Sequence, residues 1–367
     1  MKTKYSITYP PMGKLMKLVG TESVKLEALR ICEQSIKQQR MPAESCLPHM
    51  LNFTFTGNPG TGKTTVARVF DSQCKAVRAR KKSVFVEKTA AALKRAGGTE
   101  IEKIIQQAMG GVLFIDEAYQ LEHSKDPAGL DIVDEILTVA ENHREDLTII
   151  LAGCKDQIER ELYTYNTGMS NCFDNIEFPD FNAAQLREIW EFFLHNKKWR
   201  LDDSDVAAVA VRRVARGAGK PGLGNAHDVH KAFPAGGRRA EARDDFDCVA
   251  PSIIMEDVLG PAPNRRTLPA LDDALSRLES LEGLDKVKSS IMQLVEMVKH
   301  NYHRELQGKP VMVQCNDHDV EMPEGATYRV AGNLELTAGQ SDVLRVAVGP
   351  LASLVAPANL VLVGPCW

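Results

Sequence analysis

Nine consecutive residues have the types and spacing needed to hold a polyphosphate: Gly57, Asn58, Pro59, Gly60, Thr61, Gly62, Lys63, Thr64 and Thr65. The glycines let the backbone turn its N–H groups inward and approach a phosphate closely. Lys63 supplies a positive charge for the β- and γ-phosphates, and the Thr64 hydroxyl is placed to ligate Mg²⁺. A glycine-rich turn without a ligand is the alternative interpretation. The flanking residues distinguish a phosphate-binding loop from such a turn.

Those flanks predict a strand before the loop and a helix after it. Residues 51–56 form a short apolar run, and residues 66–70 continue with a helical pattern. A helix that begins at the end of the loop adds unpaired N–H donors and the positive end of its dipole. Strand, glycine loop and helix in this order are what a phosphate-binding loop requires. We therefore predict that the chain binds a nucleoside triphosphate.

A pair of carboxylates, Asp116 and Glu117, follows a second apolar run, at 112–115. Acidic pairs are common on protein surfaces, but a pair directly behind a buried strand is not typical of a surface. Asp116 is suited to hold Mg²⁺ together with Thr64. Glu117 is suited to polarise a water molecule for in-line attack on the γ-phosphate. The predicted catalytic residues are therefore Glu117 and Lys63, and the predicted metal ligands are Thr64 and Asp116.

The elements that position these residues alternate between apolar strands and helices up to about Asp180. Strands are expected at 83–87, 111–117, 147–152 and 175–178, and helices at 100–109 and 128–142. Before the loop, Leu15–Arg40 is expected to be one helical segment with Thr21 as a plausible N-cap. From Asn182 onward only helical patterns occur, at 182–197, 203–216 and 225–243. The fold class is thus α/β: a parallel sheet of the P-loop NTPase type flanked by helices, followed by a small all-helical domain.

The amino-acid composition indicates which kinds of binding partner and which cellular compartment to expect. Of 367 residues, 44% are hydrophobic and 26% are charged, with a net charge of −4, so no general attraction to nucleic acid or to an anionic membrane is expected. The basic residues at 212–239 are interpreted as a solvated surface rather than a nucleic-acid patch. Eight scattered cysteines without a Cys-x-x-Cys pair argue against a zinc site and for a reducing compartment. The expected localisation is cytoplasmic, since the uncharged stretch 346–364 is interrupted by prolines and fits a membrane span poorly.

The chain also repeats itself. Five residues recur at a constant offset of 263 positions: Leu278, Leu281, Gly283, Val287 and Lys288 match Leu15, Leu18, Gly20, Val24 and Lys25. The offset would place a second phosphate loop near position 320, where none exists. The predicted domains are a tail at 1–11, an α/β nucleotide-binding domain at 12–180, a helical lid at 181–260, a linker and truncated second module at 261–310, and a divergent tail at 311–367.

The loop at 57–65 together with Gly110–Tyr119 resembles the AAA+ ATPases of the CbxX/CfxQ type, which include the stage V sporulation protein K group and the red-type Rubisco activases. The resemblance extends through 151–153, 178–180 and 224–226 and covers about residues 12–260. It implies ATP and Mg²⁺ as cofactors and a homo- or hetero-oligomeric ring that remodels a protein partner. It further implies that Val19 and Gly20 line the adenine pocket and that His227 occupies a nucleotide-contacting position of the lid.

Several residues depart from the pattern of that family. Cys172 stands where the family carries an arginine that reaches the neighbouring subunit's γ-phosphate, and His227 stands where the lid carries another arginine. A neutral imidazole cannot replace a guanidinium fork. Cys154 replaces a tyrosine, and the expected substrate-gripping loop at 90–99 has Lys94 and Arg95 but no aromatic residue. Binding is expected to be intact, while ring-coupled hydrolysis is in question.

Three functions therefore remain open at this point. The first is an ATPase that couples hydrolysis to the remodelling of a protein. The second is a nucleotide-holding scaffold or degenerate ring subunit with little hydrolysis, which Cys172 and His227 favour. The third is a DNA-dependent ATPase, whose turnover would rise with DNA. The intact pair Asp116 and Glu117 favours the first, and neither nucleic acid nor membrane is expected as a partner.

Overall fold

The computed structural model describes residues 10–38, 40–45, 51–96, 98–121, 127–164, 167–215, 224–282, 284–315 and 318–321. The chain divides into two compact units, with the division between Asp180 and Phe181. Most of the predicted tails, 1–9 and 322–367, lie outside the described residues. None of the described helices is long and apolar enough to cross a membrane.

The first unit is built on a five-stranded parallel sheet. Its strands are β1 (Phe53–Gly57), β2 (Phe85–Thr89), β3 (Val112–Asp116), β4 (Thr148–Gly153) and β5 (Asp174–Phe178). The spatial order is β2-β3-β4-β1-β5, and every neighbouring pair runs parallel. Every residue of β4 is buried, as a strand covered on both faces requires. The predicted α/β parallel sheet is confirmed, with β2 beginning two residues later than expected.

Helices cover both faces of this sheet. They are α1 (Pro10–Met16), α2 (Glu22–Gln38), α3 (Lys63–Ala76), α4 (Ala90–Ala96), α5 (Gly98–Ala108), α6 (Pro127–Asn142), α7 (Lys155–Gln157) with a π-helical turn (Ile158–Tyr163) behind it, and α8 (Thr167–Cys172). One apolar core joins α1, α2 and α3 to one face. A second core joins the helices between α4 and α8 to the other face. Since strand side chains alternate between faces, β3 and β4 contribute to both cores.

The expected single helix over Leu15–Arg40 is wrong, because two helices with a bend between them occupy this stretch. Gly20 and Thr21 both have left-handed backbones, with φ of 65° and 62°, which an α-helix cannot contain. Thr21 does not cap α2 with its side chain, since its hydroxyl is buried without a hydrogen-bond partner among the described residues. The bend is held instead by Lys25, whose Nζ donates to the Leu18 carbonyl at 2.7 Å.

The second unit is helical, as predicted. It contains α9 (Ala183–Lys197), α10 (Ser204–Ala215), α11 (Ala226–Glu241), α12 (Met255–Leu259), α13 (Pro269–Ser280) and α14 (Asp285–Leu306). Short strands accompany them: β6 (Arg200–Leu201) runs parallel to β7 (Ser252–Ile253), and β8 (Met312–Cys315) pairs antiparallel with β9 (His318–Glu321). A core around Trp190 and Phe233, whose rings meet edge to face, joins α9, α10 and α11.

The helices predicted to open a truncated module, α13 and α14, belong to this same unit. Glu305 of α14, only 5% exposed, accepts hydrogen bonds from Arg213 of α10, the closest at 2.8 Å. Arg212 donates to the Gly308 carbonyl, and the Tyr302 hydroxyl donates to the Gly260 carbonyl at 3.0 Å. A buried carboxylate needs such partners, because an unpaired charge is expensive to bury. The C-terminal half of α14 is therefore fixed to the preceding helical domain.

Candidate functional site: the phosphate loop and the carboxyl edge of the sheet

The glycine loop turns between the end of β1 and the start of α3. Gly62 is the N-cap of α3 with φ of 92°, a conformation that favours glycine, and an added Cβ would meet nothing within 4 Å there. Gly57 has a different requirement, because an added Cβ would lie 2.3 Å from the Phe178 carbonyl oxygen of β5. The first glycine thus permits β1 and β5 to approach, and the last opens the helix N-terminus toward the loop. The free N–H groups of that terminus suit an anion.

Lys63 is folded back into its own loop. Its Nζ donates to the carbonyl oxygens of Gly57 and Asn58, at 2.9 and 2.8 Å. Burial lowers the pKa of Lys63, and the carboxylates of Asp116 and Asp180 act in the opposite direction. A partly desolvated ammonium group gains more from an incoming anion than a solvated one would. Lys63 is therefore positioned to meet a phosphate group.

Two hydrogen bonds brace the loop. The Thr61 hydroxyl donates to the Asn58 carbonyl at 2.9 Å, and Thr61 is buried. The Asn58 side-chain amide lies 3.0 Å from both carboxylate oxygens of Asp180, the last residue of the first unit. No local sequence pattern indicates this link, since 122 residues separate the partners. Both residues belong to segments that resemble the CbxX/CfxQ-type ATPases, and this resemblance is what the sequence offers to indicate that they matter.

The acidic pair lies at the end of β3, as the sequence predicts. The Asp116 carboxylate accepts a hydrogen bond from the Glu117 backbone N–H at 2.9 Å. Glu117 has a left-handed backbone with φ of 52° and an exposed side chain, whose Oε2 accepts from Gln120 Nε2 at 2.8 Å. A non-glycine residue in this conformation costs free energy and is found mostly at functional sites. Gln120, which no sequence motif indicates, thus orients the Glu117 carboxylate.

The strand order brings the loop and the acidic pair to one edge of the sheet. β4 lies between β1 and β3, so the ends of β1 and β3 stand two strand spacings apart, about 10 Å. Ile115 pairs with Leu151 and Thr56 pairs with Gly153, so all three strands end at nearly the same level. In parallel sheets ligands bind at the carboxyl edge where the strand order reverses, here beside β1. Lys63 and Asp116 accordingly interact electrostatically.

The predicted adenine wall, Val19 and Gly20, lies in the bend between α1 and α2. Gly20 is buried and Val19 is half-buried. Beside them the buried Thr21 hydroxyl has no partner within the described part of the chain. A buried polar group without a partner costs free energy that a ligand group can recover. This segment can offer an apolar surface and one unused hydroxyl to a nucleotide base.

His227 lies in the second unit, on the exposed first turn of α11. The nearby Asn225 is buried, has a positive φ of 47°, and accepts a hydrogen bond from the Phe181 N–H at 2.9 Å. A Cβ at Gly224 would lie 2.3 Å from the carboxylate of Asp228, so this carboxylate, which accepts a hydrogen bond from the Gly224 N–H, would have to move. The Gly-Asn segment therefore shapes the start of α11. A nucleotide contact by His227 stays a prediction.

Cys172 ends α8, half-buried against the core. Its Sγ lies 3.7 Å from Glu141 Oε1 at the end of α6. Burial and this carboxylate raise the pKa of the Cys172 thiol. The position at which the resemblance leads one to expect an arginine is therefore neutral and faces a carboxylate. Cys154 follows β4 directly, at the same sheet edge as the phosphate loop, and is partly exposed.

These residues fit a triphosphate with a divalent cation. The loop supplies N–H donors and an ammonium group, which match phosphate oxygens. Thr64, on the first turn of α3, and Asp116 supply hard oxygen ligands, which match Mg²⁺. No group of three or more His, Cys, Asp or Glu suited to a metal occurs among the described residues. Mg²⁺ usually keeps waters and phosphate oxygens as its remaining ligands.

Comparisons with known proteins agree with the geometry. The sequence profile of the ATPase family associated with various cellular activities, AAA, matches residues 53–168, the stretch from β1 to α8. The chain is 39% identical over 239 residues to the chromosomal protein CbxX of Cupriavidus necator, covering 59% of this chain and 74% of CbxX. It is 36% identical over 236 residues to the plasmid-encoded CbxX of that organism, covering 60% and 73%.

A further relative is the chloroplastic ribulose bisphosphate carboxylase/oxygenase activase of Cyanidioschyzon merolae, 33% identical over 227 residues, with 59% of this chain and 76% of the activase covered. Among solved structures, the RuvB branch migration motor of Thermotoga maritima aligns at 15% identity and a TM-score of 0.48, covering 83% of this chain and 92% of RuvB. The class that the sheet and its phosphate loop define is the AAA+ ATPase family. Within that family, this chain belongs to the CbxX/CfxQ type.

Proposed function

We propose that this chain binds ATP with Mg²⁺ and hydrolyses it to change the conformation of a protein partner, as a subunit of an oligomeric ring. The observation that carries the proposal is the convergence of Lys63, Asp116 and Glu117 at one edge of the sheet. Lys63 and the loop N–H groups hold the phosphates, and Thr64 and Asp116 hold the cation. Glu117, oriented by Gln120, accepts a proton from the attacking water.

Lys63→Ala tests the binding step. The loop should lose its only side-chain charge, and hydrogen bonds to charged groups contribute about 1.5–3 kcal/mol, so the Kd for ATP should rise roughly 10- to 150-fold. Lys75→Ala is the matched control, since Lys75 is exposed at the far end of the same helix. Isothermal titration calorimetry with Mg-ATP measures both variants. Equal affinity of Lys63→Ala and the unchanged protein would refute the site.

Glu117→Gln tests the chemical step separately. The amide keeps the shape and the Gln120 contact but cannot accept a proton, so turnover should fall about 10²- to 10⁴-fold while the Kd for ATP stays within a few-fold. Glu102→Gln, on the exposed side of α5, is the control. Phosphate release at saturating ATP is the readout. Turnover at the original level would show that another group activates the water.

The second candidate function is that of an ATP-holding subunit with slow hydrolysis. It is favoured by Cys172, which offers no positive charge and lies beside Glu141. An arginine that reaches a neighbouring active site is typically worth about 10³–10⁵ in rate. In this chain a simple Cys172→Arg would place the new guanidinium beside the Glu141 carboxylate, which would hold it within its own subunit.

The informative experiment is therefore a pair of variants, Cys172→Arg alone and Cys172→Arg with Glu141→Ala. If Cys172 faces a neighbouring nucleotide, the double variant should hydrolyse ATP faster than the single one, and only at concentrations where the protein oligomerises. Glu141→Ala alone is the control. If the double variant does not hydrolyse ATP faster in assembled protein, Cys172 does not face a neighbouring nucleotide. Slow ATP hydrolysis would then need another explanation.

A further inference from the structure

The ring of Tyr119 packs against the end of β4, the strand that lies between the acidic pair of β3 and the phosphate loop that follows β1. A Cβ added to Gly153, the last residue of β4, would lie 3.0 Å from Tyr119 Cδ1. The same Cβ would lie 3.1 Å from Ile158, on the turn behind β4. Gly153 therefore makes room for an aromatic ring at the carboxyl edge of the sheet.

The Tyr119 hydroxyl lies among groups of the proposed ATPase site. Burial raises the pKa of this phenol, and hydrogen bonding to the Gln120 side chain acts in the opposite direction. Further increases come from Glu117, Cys154 and Asp116, all at the carboxyl edge of the sheet. A phenol whose pKa is raised above its ordinary value of about 10 keeps its proton at neutral pH. Tyr119 can therefore serve as a hydrogen-bonding partner there.

Gln120 connects this hydroxyl to the proposed catalytic base. Its side-chain Nε2 donates to Glu117 Oε2 at 2.8 Å, and its backbone N–H donates to the Glu117 carbonyl at 2.9 Å, at the start of the 3₁₀ turn Ala118–Leu121. The other carboxylate oxygen, Oε1, accepts no hydrogen bond from any residue that the structure describes. One oxygen of Glu117 is thus engaged, and the other can accept a proton from water.

The contact between Gln120 and Glu117 would fix little by itself. The Glu117 side chain is exposed, and water competes for both groups of such a hydrogen bond. Tyr119 is different, because its ring packs against the apolar core between α4 and α8 as well as on Gly153. A catalytic side chain is oriented well only when its supporting residues are themselves held by packing. Tyr119 can supply that support.

We propose that Tyr119 is a positioning residue of the ATPase site, which holds Gln120 so that Gln120 presents Glu117 to the attacking water. This inference rests on the proposed function, since it concerns the same hydrolysis step. In that step the water oxygen bonds to the γ-phosphorus while a water proton passes to Glu117 Oε1. The bond from the γ-phosphorus to the bridging oxygen breaks, and ADP leaves with its electron pair.

Tyr119→Phe tests the proposal, because it removes the hydroxyl and keeps the ring on Gly153. Single-turnover hydrolysis of Mg-ATP by an excess of the full chain measures the chemical step, whose rate should fall about 3- to 12-fold, the effect of one neutral hydrogen bond. The Kd for ATP, from calorimetric titration, should stay within twofold. Tyr163→Phe is the matched control and should leave the rate unchanged, since the Tyr163 hydroxyl contacts Thr54 instead.

Two outcomes of this comparison would overturn the proposal. The first is an unchanged hydrolysis rate in Tyr119→Phe. The second is a rise in the Kd for ATP that accounts for the whole loss of activity, because the hydroxyl would then contact the nucleotide instead of positioning Glu117.

A double-mutant cycle tests whether Tyr119 acts through Gln120. Gln120→Leu removes the amide at similar size and should slow the chemical step about 10- to 150-fold, as expected for loss of a hydrogen bond to a charged group. Adding Tyr119→Phe to Gln120→Leu should change the rate by less than twofold. Two effects that multiply in full would show that the residues act independently, and this would refute the proposed order of contacts.

Glu117→Gln, measured under the same conditions, separates failure of this inference from failure of the proposed function. If Glu117→Gln slows hydrolysis and Tyr119→Phe does not, the positioning role of Tyr119 is refuted and the ATPase site stands. If Glu117→Gln hydrolyses ATP at the original rate, the assignment of the base is wrong and the positioning role is refuted with it.

Discussion

The α1–α2 element and the α13–α14 element show how one local pattern behaves in two environments. Leu15 and Val24 are fully buried, and their equivalents Leu278 and Val287 are 2% and 8% exposed. In the first copy a phosphate-loop helix completes the core, whereas the second copy relies on its own small core and on its attachment to α10 and α12. The bend and its lysine follow from local sequence, but the packing depends on the neighbour.

The largest expected effect comes from breaking the attachment of the second copy. Glu305→Ala leaves Arg213 partly buried without its carboxylate, and removal of one partner of a buried pair costs about 3–5 kcal/mol. Urea unfolding, followed by the fluorescence of Trp190 and Trp199 in the second unit, measures the loss. Glu296→Ala, in an exposed pair, should cost about 0–1 kcal/mol. Similar losses for the two variants would show that the attachment contributes little.

A smaller effect distinguishes the large core around the first copy from the small core of the second. Leu15→Ala and Leu278→Ala remove the same atoms from equivalent positions, and such substitutions cost about 2–5 kcal/mol. We expect the upper part of that range for Leu15, which lies in the large core shared with α3, and the lower part for Leu278, whose core is much smaller. Hydrogen exchange of each unit gives the two values. A greater loss at Leu278 would contradict the difference in packing.

The smallest expected effect concerns the lysine that closes each bend with a hydrogen bond to a backbone carbonyl. Lys25→Met and Lys288→Met each remove a charged hydrogen-bond donor, at a cost of about 1.5–3 kcal/mol or less, since methionine retains the packing of the chain. Only Lys25→Met should also weaken ATP binding, because the Leu18–Gly20 bend is the predicted adenine wall. Calorimetric titration of both variants decides this. Equal ATP affinity of the two variants would show that Val19 and Gly20 do not contribute to the adenine pocket.

Much of the fold could be predicted because its signals are local. The buried strands at 112–116 and 148–153 are continuous apolar runs, and the phosphate loop has glycines where Gly57 and Gly62 need them. Thr21 shows the limit of such signals. A threonine before a helix favours an N-cap, yet the left-handed bend and the packing of α1 bury its hydroxyl without a partner.

Other features depend on residues distant in the chain, and local patterns cannot indicate them. The Asn58–Asp180 link spans 122 residues, and the Cys172–Glu141 contact spans 31. The sequence likewise revealed the repeat, but the packing around each copy depends on residues elsewhere in the chain.

The position of β1 in the sheet has a consequence for biosynthesis. Among the described strands β1 pairs with β4 and β5, and Phe178 at the end of β5 follows Gly57 at the end of β1 by 121 residues. At a synthesis rate of about 5–20 residues per second, the ribosome needs roughly 6–24 s to produce that interval. During this time one edge of the apolar β1 can pair only after β4 has been made, and the other edge stays unpaired until β5 follows. The nascent chain therefore carries a strand with at least one unpaired, aggregation-prone edge until nearly half of the polypeptide has been made, and this is the interval in which a chaperone would have most to protect.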